Sequence, residues 1–251
     1  MSIKKVLGSI IQADKDYNLI ENNDSIAVGV SGGKDSTLLL YCLNLYKKVA
    51  YKTSGKKFEV IGIHIEMGFS NMDFSPLDEY CKKEGLTLYH EKSKIYDILK
   101  LNMKNDKIQC SLCSSLKKGA VVKKAKELNC NKLCFAHHLD DAIETLFLNM
   151  IHGGKINTFD TKMHLSNKDI TFIRPFCYTY ESDIKLLTSS MNIPVVKSTC
   201  PNDGYTHRQK VKDMLNDLYK EYPMAKKNFK LMLHNTEQLS LWEIEDKKKI
   251  D

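Results

Sequence analysis

"VGVSGGKDSTLLLYC", residues 28–42, links two apolar runs through five residues that no hydrophobic core would take: Ser31-Gly32-Gly33-Lys34-Asp35. The run before it, DSIAVGV (24–30), has the length and composition of a buried strand. The run after it, STLLLYCLNLYKKV (36–49), reads as a helix. Strand, glycine-rich turn and helix start, in that order, meet a physical specification for holding a phosphate. Glycines let backbone N–H groups converge on an anion. The helix adds the positive end of its dipole. Lys34 supplies a mobile cation, and Ser31 and Ser36 supply hydroxyls. The bland alternative is a glycine-rich turn before a capped helix.

Outward from that loop, strands and helices alternate. Residues 3–20 carry a helical stripe of Ile3, Val6, Leu7, Ile10 and Ile11. KFEVIGIHIEM (57–67) is expected as a second strand, and SPLDEYCKKEG (75–85), opened by Ser-Pro and closed by Gly, as a helix. LTLYHE (86–91) is expected as a third strand, with a short helix over 95–103. SSLKKGAVVKKAKELN (114–129) is an amphipathic helix, KLCFAH (132–137) a fourth strand and DAIETLFLNMI (141–151) a helix ended by Gly153-Gly154. Short segments fill 158–175, a helix covers about 181–191, and IPVVK (193–197) is expected as a strand. Alternation of this kind implies an α/β fold, a parallel sheet with helices on both faces. Sites on such sheets lie at the carboxyl ends of the strands. The expected organisation is a core over 1–203 and a lysine-rich helical extension over 204–251. That extension can cover the sheet, pair with a second copy as a homodimer, or touch RNA; packing on the core is the expectation.

Composition sets the broad class. The 251 residues are 42% hydrophobic and 27% charged, ordinary for a globular chain. No apolar run approaches the roughly 20 residues a membrane span needs. A cytoplasmic protein with no membrane partner is expected. The net charge of +7 suits a polyanionic partner such as RNA or a nucleotide. Nearly all the cations are lysines; Arg174 and Arg208 are the only arginines, so each is a candidate for work that needs a planar fork.

Eight cysteines are many for a reducing compartment, where metal binding or catalysis explains thiols better than disulfides. Cys42, Cys81, Cys130, Cys134 and Cys177 fall in apolar patterns and read as buried small hydrophobes. Cys110 and Cys113, in QCSLCSSLKKG, form a lone C-x-x-C, which fits half a zinc site, a redox pair or two cluster ligands. No other cysteine pair has that spacing. Cys200, in the polar loop STCPNDG, is the third candidate. Three thiolates suit an iron–sulfur cluster with one iron left open, and an open position marks chemistry.

The phosphate loop departs from G-x-x-x-x-G-K-[ST], because Asp35 stands where that motif has Ser or Thr. It resembles instead the PP-loop of the ATP pyrophosphatases, which split ATP between the α and β phosphates. The stretch CSLCSSLKKGAVVKKAKELNCNKLCFAHHLDDAIETLFLNMIHGGK (110–155), with IRPF near 173 and RQKVKDML near 208, resembles the tRNA 2-thiocytidine synthetase family within that superfamily. The likeness runs from about 24 to 220.

The resemblance implies ATP-dependent tRNA thiolation. The C2 oxygen of an anticodon-loop cytidine, position 32 of the tRNA, is adenylated and replaced by sulfur, with a 4Fe-4S cluster on Cys110, Cys113 and Cys200. It implies tRNA, ATP with Mg²⁺, and a sulfur donor (sulfide or a cysteine desulfurase) as partners. Ser31, Gly32, Gly33, Lys34, Asp35 and Ser36 would hold the nucleotide, with Lys34 and Asp35 also catalytic. His137, His138, Asp140 and Asp141, in AHHLDDAIETLFLN, would line the ATP site, a carboxylate holding the magnesium. Asp141 and Glu144 also have capping-box spacing, so Asp141 has a purely structural reading beside the functional one. A related group that thiolates uridine carries cysteine pairs near its N-terminus; the first cysteine here is Cys42. The alternative is a PP-loop adenylating enzyme with a structural zinc or a persulfide cysteine, acting on another RNA base or a small molecule.

Overall fold

A computed structural model describes residues 2–69, 72–103, 108–196, 199–200, 207–235, 237 and 240–242. Six strands form one sheet in the order β3-β2-β1-β4-β6-β5. They are β1 (Asp24–Gly29), β2 (Phe58–Glu66), β3 (Leu88–Lys92), β4 (Lys132–Cys134), β5 (Lys162–Leu165) and β6 (Ile170–Ile173). All neighbours are parallel except β5, which runs antiparallel to β6 at the edge. The segments expected around 158–175 are this hairpin.

The chain steps from β1 to β2 to β3 in one direction, then returns to place β4 on the other side of β1. That reversal between β1 and β4 makes a crevice at the carboxyl ends, where such sheets bind ligands. The phosphate loop follows β1 and so lies on that crevice.

Period-two alternation divides the core. Ile26 and Val28 of β1 face a cluster with helices α1 (Ile3–Tyr17), α2 (Lys34–Ser54), α3 (Ser75–Glu84) and α7 (Glu181–Ser190). Ala27, Ile63, Ile65 and Leu133 face the opposite cluster, with α4 (Ile95–Leu101) and α5 (Cys110–Glu127). Gly85 ends α3 in the left-handed region, as its position after the helix leads one to expect, and Ser2 caps α1 by accepting from the Lys4 N–H at 3.2 Å. All five cysteines expected in the core are buried.

Below the sheet's carboxyl edge, α6 (Leu139–Gly153) packs on α8 (His207–Glu221) through Leu139, Ile143, Val211 and Leu215. Helix α9 (Ala225–Met232) follows. Residues 201–206, which include the expected boundary at 203, lie outside the described residues.

Two expectations are corrected. IPVVK is not a strand: residues 193–196 are irregular, and Lys197 lies outside the described residues. Pro194 has no N–H to give a ladder. The segment instead crosses the phosphate loop, where the Val196 N–H donates to the Gly32 carbonyl at 2.9 Å. The capping box is also one turn earlier than its spacing suggested. His138 is the N-cap, its Nδ1 accepting from the Asp141 N–H at 3.3 Å, while Asp141 Oδ2 accepts from the His138 N–H at 3.0 Å. Glu144 lies inside the helix, buried.

Among the described residues no helix is long and apolar enough to cross a membrane.

Candidate active site

The loop from Ser31 to Ser36 is held by its own serines. The Ser36 hydroxyl accepts from the Ser31 N–H and donates to the Gly33 carbonyl, each at 3.1 Å, and its Oγ lies 3.1 Å from Ser31 Oγ. Gly33 caps α2 without a side chain, so the first-turn N–H groups of Lys34, Asp35 and Ser36 have no partner within the helix. Gly32 has φ +85°, and a Cβ there would lie 2.9 Å from Val196 Cβ and 3.0 Å from Phe74 Cε1. Both the backbone conformation and the space require glycine. Lys34 Nζ sits 3.1 Å from Asp35 Oδ2 and 3.4 Å from Glu181 Oε1. Asp35 Oδ1 is buried with no hydrogen-bond partner.

Two adjoining cavities open on this loop. The first, 270 Å³, is lined by Ser31, Asp35 and Ser36 on one side and by Ile65, Phe135 and His137 on others. His137 Nδ1 is buried there without a partner, matching the orphaned Asp35 oxygen. Burial, first of all, pushes the His137 imidazole down to about 4; Asp141 opposes this, while Arg174, Lys118 and Arg208 add to it. His137 is therefore neutral at pH 7. The second cavity, 760 Å³, is lined by Ser31 and Gly33 together with Cys113, Lys117, Val196 and Cys200, and on its far side by Phe74, Asp78 and His90.

Cys113 and Cys200 meet at the second cavity. Helix α5 begins at Cys110, four residues earlier than the amphipathic pattern suggested, and Gln109 provides no side-chain cap. Cys110 and Cys113 thus occupy its first turn. Burial raises the Cys113 thiol, Lys117 lowers it, and Cys200 and Cys110 raise it again. Cys200 and Cys110 both bear on Cys113 electrostatically. Among the described residues, no three His, Cys, Asp or Glu side chains converge on one ion. A cuboidal cluster does not require that, since each thiolate binds a different iron. A soft all-thiol donor set beside a helix N-terminus fits an iron–sulfur cluster.

Asp140 and Asp141 line neither cavity. Asp141 caps α6 and lies 3.3 Å from Arg208 Nη1. Asp140 Oδ2 accepts from the Glu181 N–H at 2.7 Å, and its Oδ1 lies 2.5 Å from Lys226 Nζ. His138, buried as the N-cap, is likewise not among the residues lining either cavity. Both arginines have structural partners: Arg174 is buried over the Phe159 ring and donates to the Asp160 carbonyl, and Arg208 reaches Asp141, Glu144 and Thr145. Sequence reading missed Lys117, which lines both cavities. Its signal was the four-residue step from Cys113, visible once both stand on one helix. It also missed Glu181, whose contact with Lys34 spans the chain and leaves no local trace.

Comparison with known proteins gives a consistent result. A family model described as the PP-loop domain matches residues 4–217. The tRNA-cytidine(32) 2-sulfurtransferases of Geotalea uraniireducens and Geotalea daltonii are 36% and 37% identical, each over 93% of this chain and 92% of the relative. Among solved structures, the U34-tRNA thiolase NcsA from Methanococcus maripaludis with its [4Fe-4S] cluster superposes with a TM-score of 0.73 at 25% identity, covering 95% of this chain and 80% of that one. A thiolase of the uridine type thus shares the fold. With a PP-loop at the sheet's switch point and most of its length matched by these relatives, the chain belongs to the PP-loop domain family and, within it, to the family of the tRNA-cytidine(32) 2-sulfurtransferases.

Proposed function

We propose that the protein is an ATP-dependent tRNA sulfurtransferase that converts cytidine 32 to 2-thiocytidine, using ATP, a 4Fe-4S cluster and a sulfur donor (sulfide itself or a cysteine desulfurase). The observation that carries this reading is the shared lining of the larger cavity. Cys113 and Cys200 stand on the same space as Ser31 and Gly33, so a phosphate and a thiolate-held group face one substrate. That space exceeds what a pyrimidine needs, and its aromatic wall at Phe74 suits a base taken out of its stack.

In the proposed first step the C2 oxygen of cytidine attacks the α-phosphorus of ATP. A P–O bond forms to the base and pyrophosphate leaves. The free N–H groups of the α2 first turn, the Ser31 and Ser36 hydroxyls and Lys34 stabilise charge on the phosphoryl oxygens. The orphaned Asp35 oxygen and the neutral His137 ring face the nucleotide cavity. Asp35 is the proposed contact to Mg²⁺, a hard cation suited to a carboxylate. The flat adenine is assigned to the apolar slot between Ile65 and Phe135. Sulfur then takes the place of the activated oxygen at C2 and AMP departs. Cys110, Cys113 and Cys200 would hold the cluster, which when bound supplies sulfide on the iron that carries no protein ligand. Lys117 beside Cys113 offsets the negative charge of the thiolates and of departing AMP.

The test is anaerobic reconstitution with iron and sulfide, followed by incubation with ATP and tRNA transcripts bearing C32 or another base there. AMP, pyrophosphate and 2-thiocytidine in equal amounts, only with C32, are expected. Turnover without tRNA, or a thionucleoside at another base, overturns the proposal.

A further inference from the structure

A third cavity, of 200 Å³, is lined by Asp140, Glu144, Glu181, Lys185, Lys212 and Lys226 among others. No step above uses it. Glu181 in that lining is the first residue of α7, with a side chain only 12% exposed. Its carboxylate gathers three lysines from three helices: Lys212 Nζ at 2.8 Å, Lys185 Nζ at 3.2 Å and Lys34 Nζ at 3.4 Å. Burial works against its charge, but Lys212 and Lys185 outweigh burial and bring it down to about 2. Its N–H is tied to Asp140, which in turn holds Lys226 of α9. Both ends of Glu181 are therefore fixed by elements outside the phosphate loop.

Lys34 carries a compact charge on a four-carbon stem, and a free stem would sample many positions. Charge stabilisation in a transition state needs the charge already in place. Asp35 confines Lys34 from within its own loop; Glu181 confines it from across the fold. We infer that Glu181 is a positioning residue for Lys34, and that Lys212 of α8 serves the phosphate loop by holding Glu181 still. The inference rests on the reading of Lys34 as a phosphate-stabilising group. Lys212 holds Oε2 of the carboxylate, and Lys185 shares Oε1 with Lys34. The helices after residue 206 then complete the site from behind, without touching substrate.

Two variants and two readouts test this. Glu181→Gln removes the charge and keeps the shape. Glu181→Asp keeps the charge balance, and so the fold, but withdraws the carboxylate by one methylene. The first readout is tRNA-dependent AMP formation at varied ATP. The second needs no turnover: trace acetylation of the whole protein, with the rate at each lysine read by mass spectrometry. Both variants are expected to lower kcat about tenfold while KM for ATP moves less than about threefold. Lys34, released from its ion pair, is expected to acetylate about threefold faster or more relative to exposed lysines such as Lys52. If Glu181→Gln does not fold, Glu181→Asp decides alone. Unchanged Lys34 labelling in a folded variant overturns the inference, whether kcat holds or falls together with a rise in KM. A wild-type protein that forms no AMP with any tRNA overturns the functional reading instead, and the labelling result still decides whether Glu181 holds Lys34.

Discussion

Glu144 gives a sharp pH-dependent expectation. It lies on α6 one turn past the capping box, with a side chain 5% exposed. Burial pushes its carboxyl up, Asp141 adds to the rise, and Lys212 and Arg208 pull it back, leaving it at about 7. In the unfolded chain the same group titrates near its ordinary 4.5. Its contribution to stability is thus fully present below pH 4.5 and is lost as the pH climbs through about 7. The gap corresponds to about 3 kcal/mol, because each pH unit between the two states is worth about 1.4 kcal/mol. Glu144→Gln removes the titration and keeps an oxygen that can accept from Arg208 Nη1, now 3.4 Å away. Urea unfolding followed by circular dichroism, on metal-free protein at pH 4.5, 6.5 and 8.5, reads the difference. Variant and wild type are expected to agree within about 0.5 kcal/mol at pH 4.5, with the variant about 3 kcal/mol more stable at pH 8.5. A difference that stays flat with pH, or a variant that loses ground as the pH rises, would show that Glu144 is an ionised partner of Arg208. The reasoning from burial would then be wrong.

Other perturbations follow from the same contacts. Gly32→Ala must push Val196 and Phe74 away from a strained turn; calorimetry should show a loss of about 1–3 kcal/mol in stability and ATP binding weaker by about tenfold. Lys132→Met leaves the Asp24 carboxylate, 4% exposed and now 2.7 Å from Lys132 Nζ, as a buried charge. Denaturant unfolding at pH 7 should cost about 3–5 kcal/mol, and the double variant with Asp24→Leu should recover most of it. Leu215→Ala opens the α6–α8 contact and should cost about 2–4 kcal/mol in the same assay. Cys113→Ala should lower bound iron after anaerobic reconstitution without lowering ATP affinity, since Cys113 lines the larger cavity and not the one with Asp35 and His137.

Most of the fold was legible because its elements are buried in simple periods. The β1 and β2 runs, the Ser-Pro start of α3 and its Gly85 end each carried a local signal the structure reproduces. Failures came where the signal is not local. IPVVK has the composition of a strand, but strand propensity requires a ladder partner, and Val196 donates to the Gly32 carbonyl of the phosphate loop. The α5 start was hidden because Gln109 is a poor cap and C-S-L-C-S-S has no apolar stripe, so Lys117 was not seen on the face of Cys113. At α6 the N-cap is a histidine, which shifted the apparent box by one turn. In the candidate site, the phosphate loop was readable from chemistry alone, since few other purposes combine two glycines, a lysine and a helix start. Cys200 was grouped with Cys110 and Cys113 from its polar loop after IPVVK, and the resemblance to a family added to that grouping. Asp140, expected at the nucleotide, also accepts from the Glu181 N–H, a contact that only the folded chain creates.

One measurement bears on the joining of phosphate loop and thiolates above all others: 2-thiocytidine in tRNA hydrolysates, quantified by mass spectrometry from cells lacking the gene and complemented with wild type, Lys34→Ala or Cys200→Ala. Wild type should restore the nucleoside and each variant should leave it absent, with the proteins accumulating to equal levels. Full 2-thiocytidine with Cys200→Ala, or none with wild type, would contradict a shared site for ATP and sulfur.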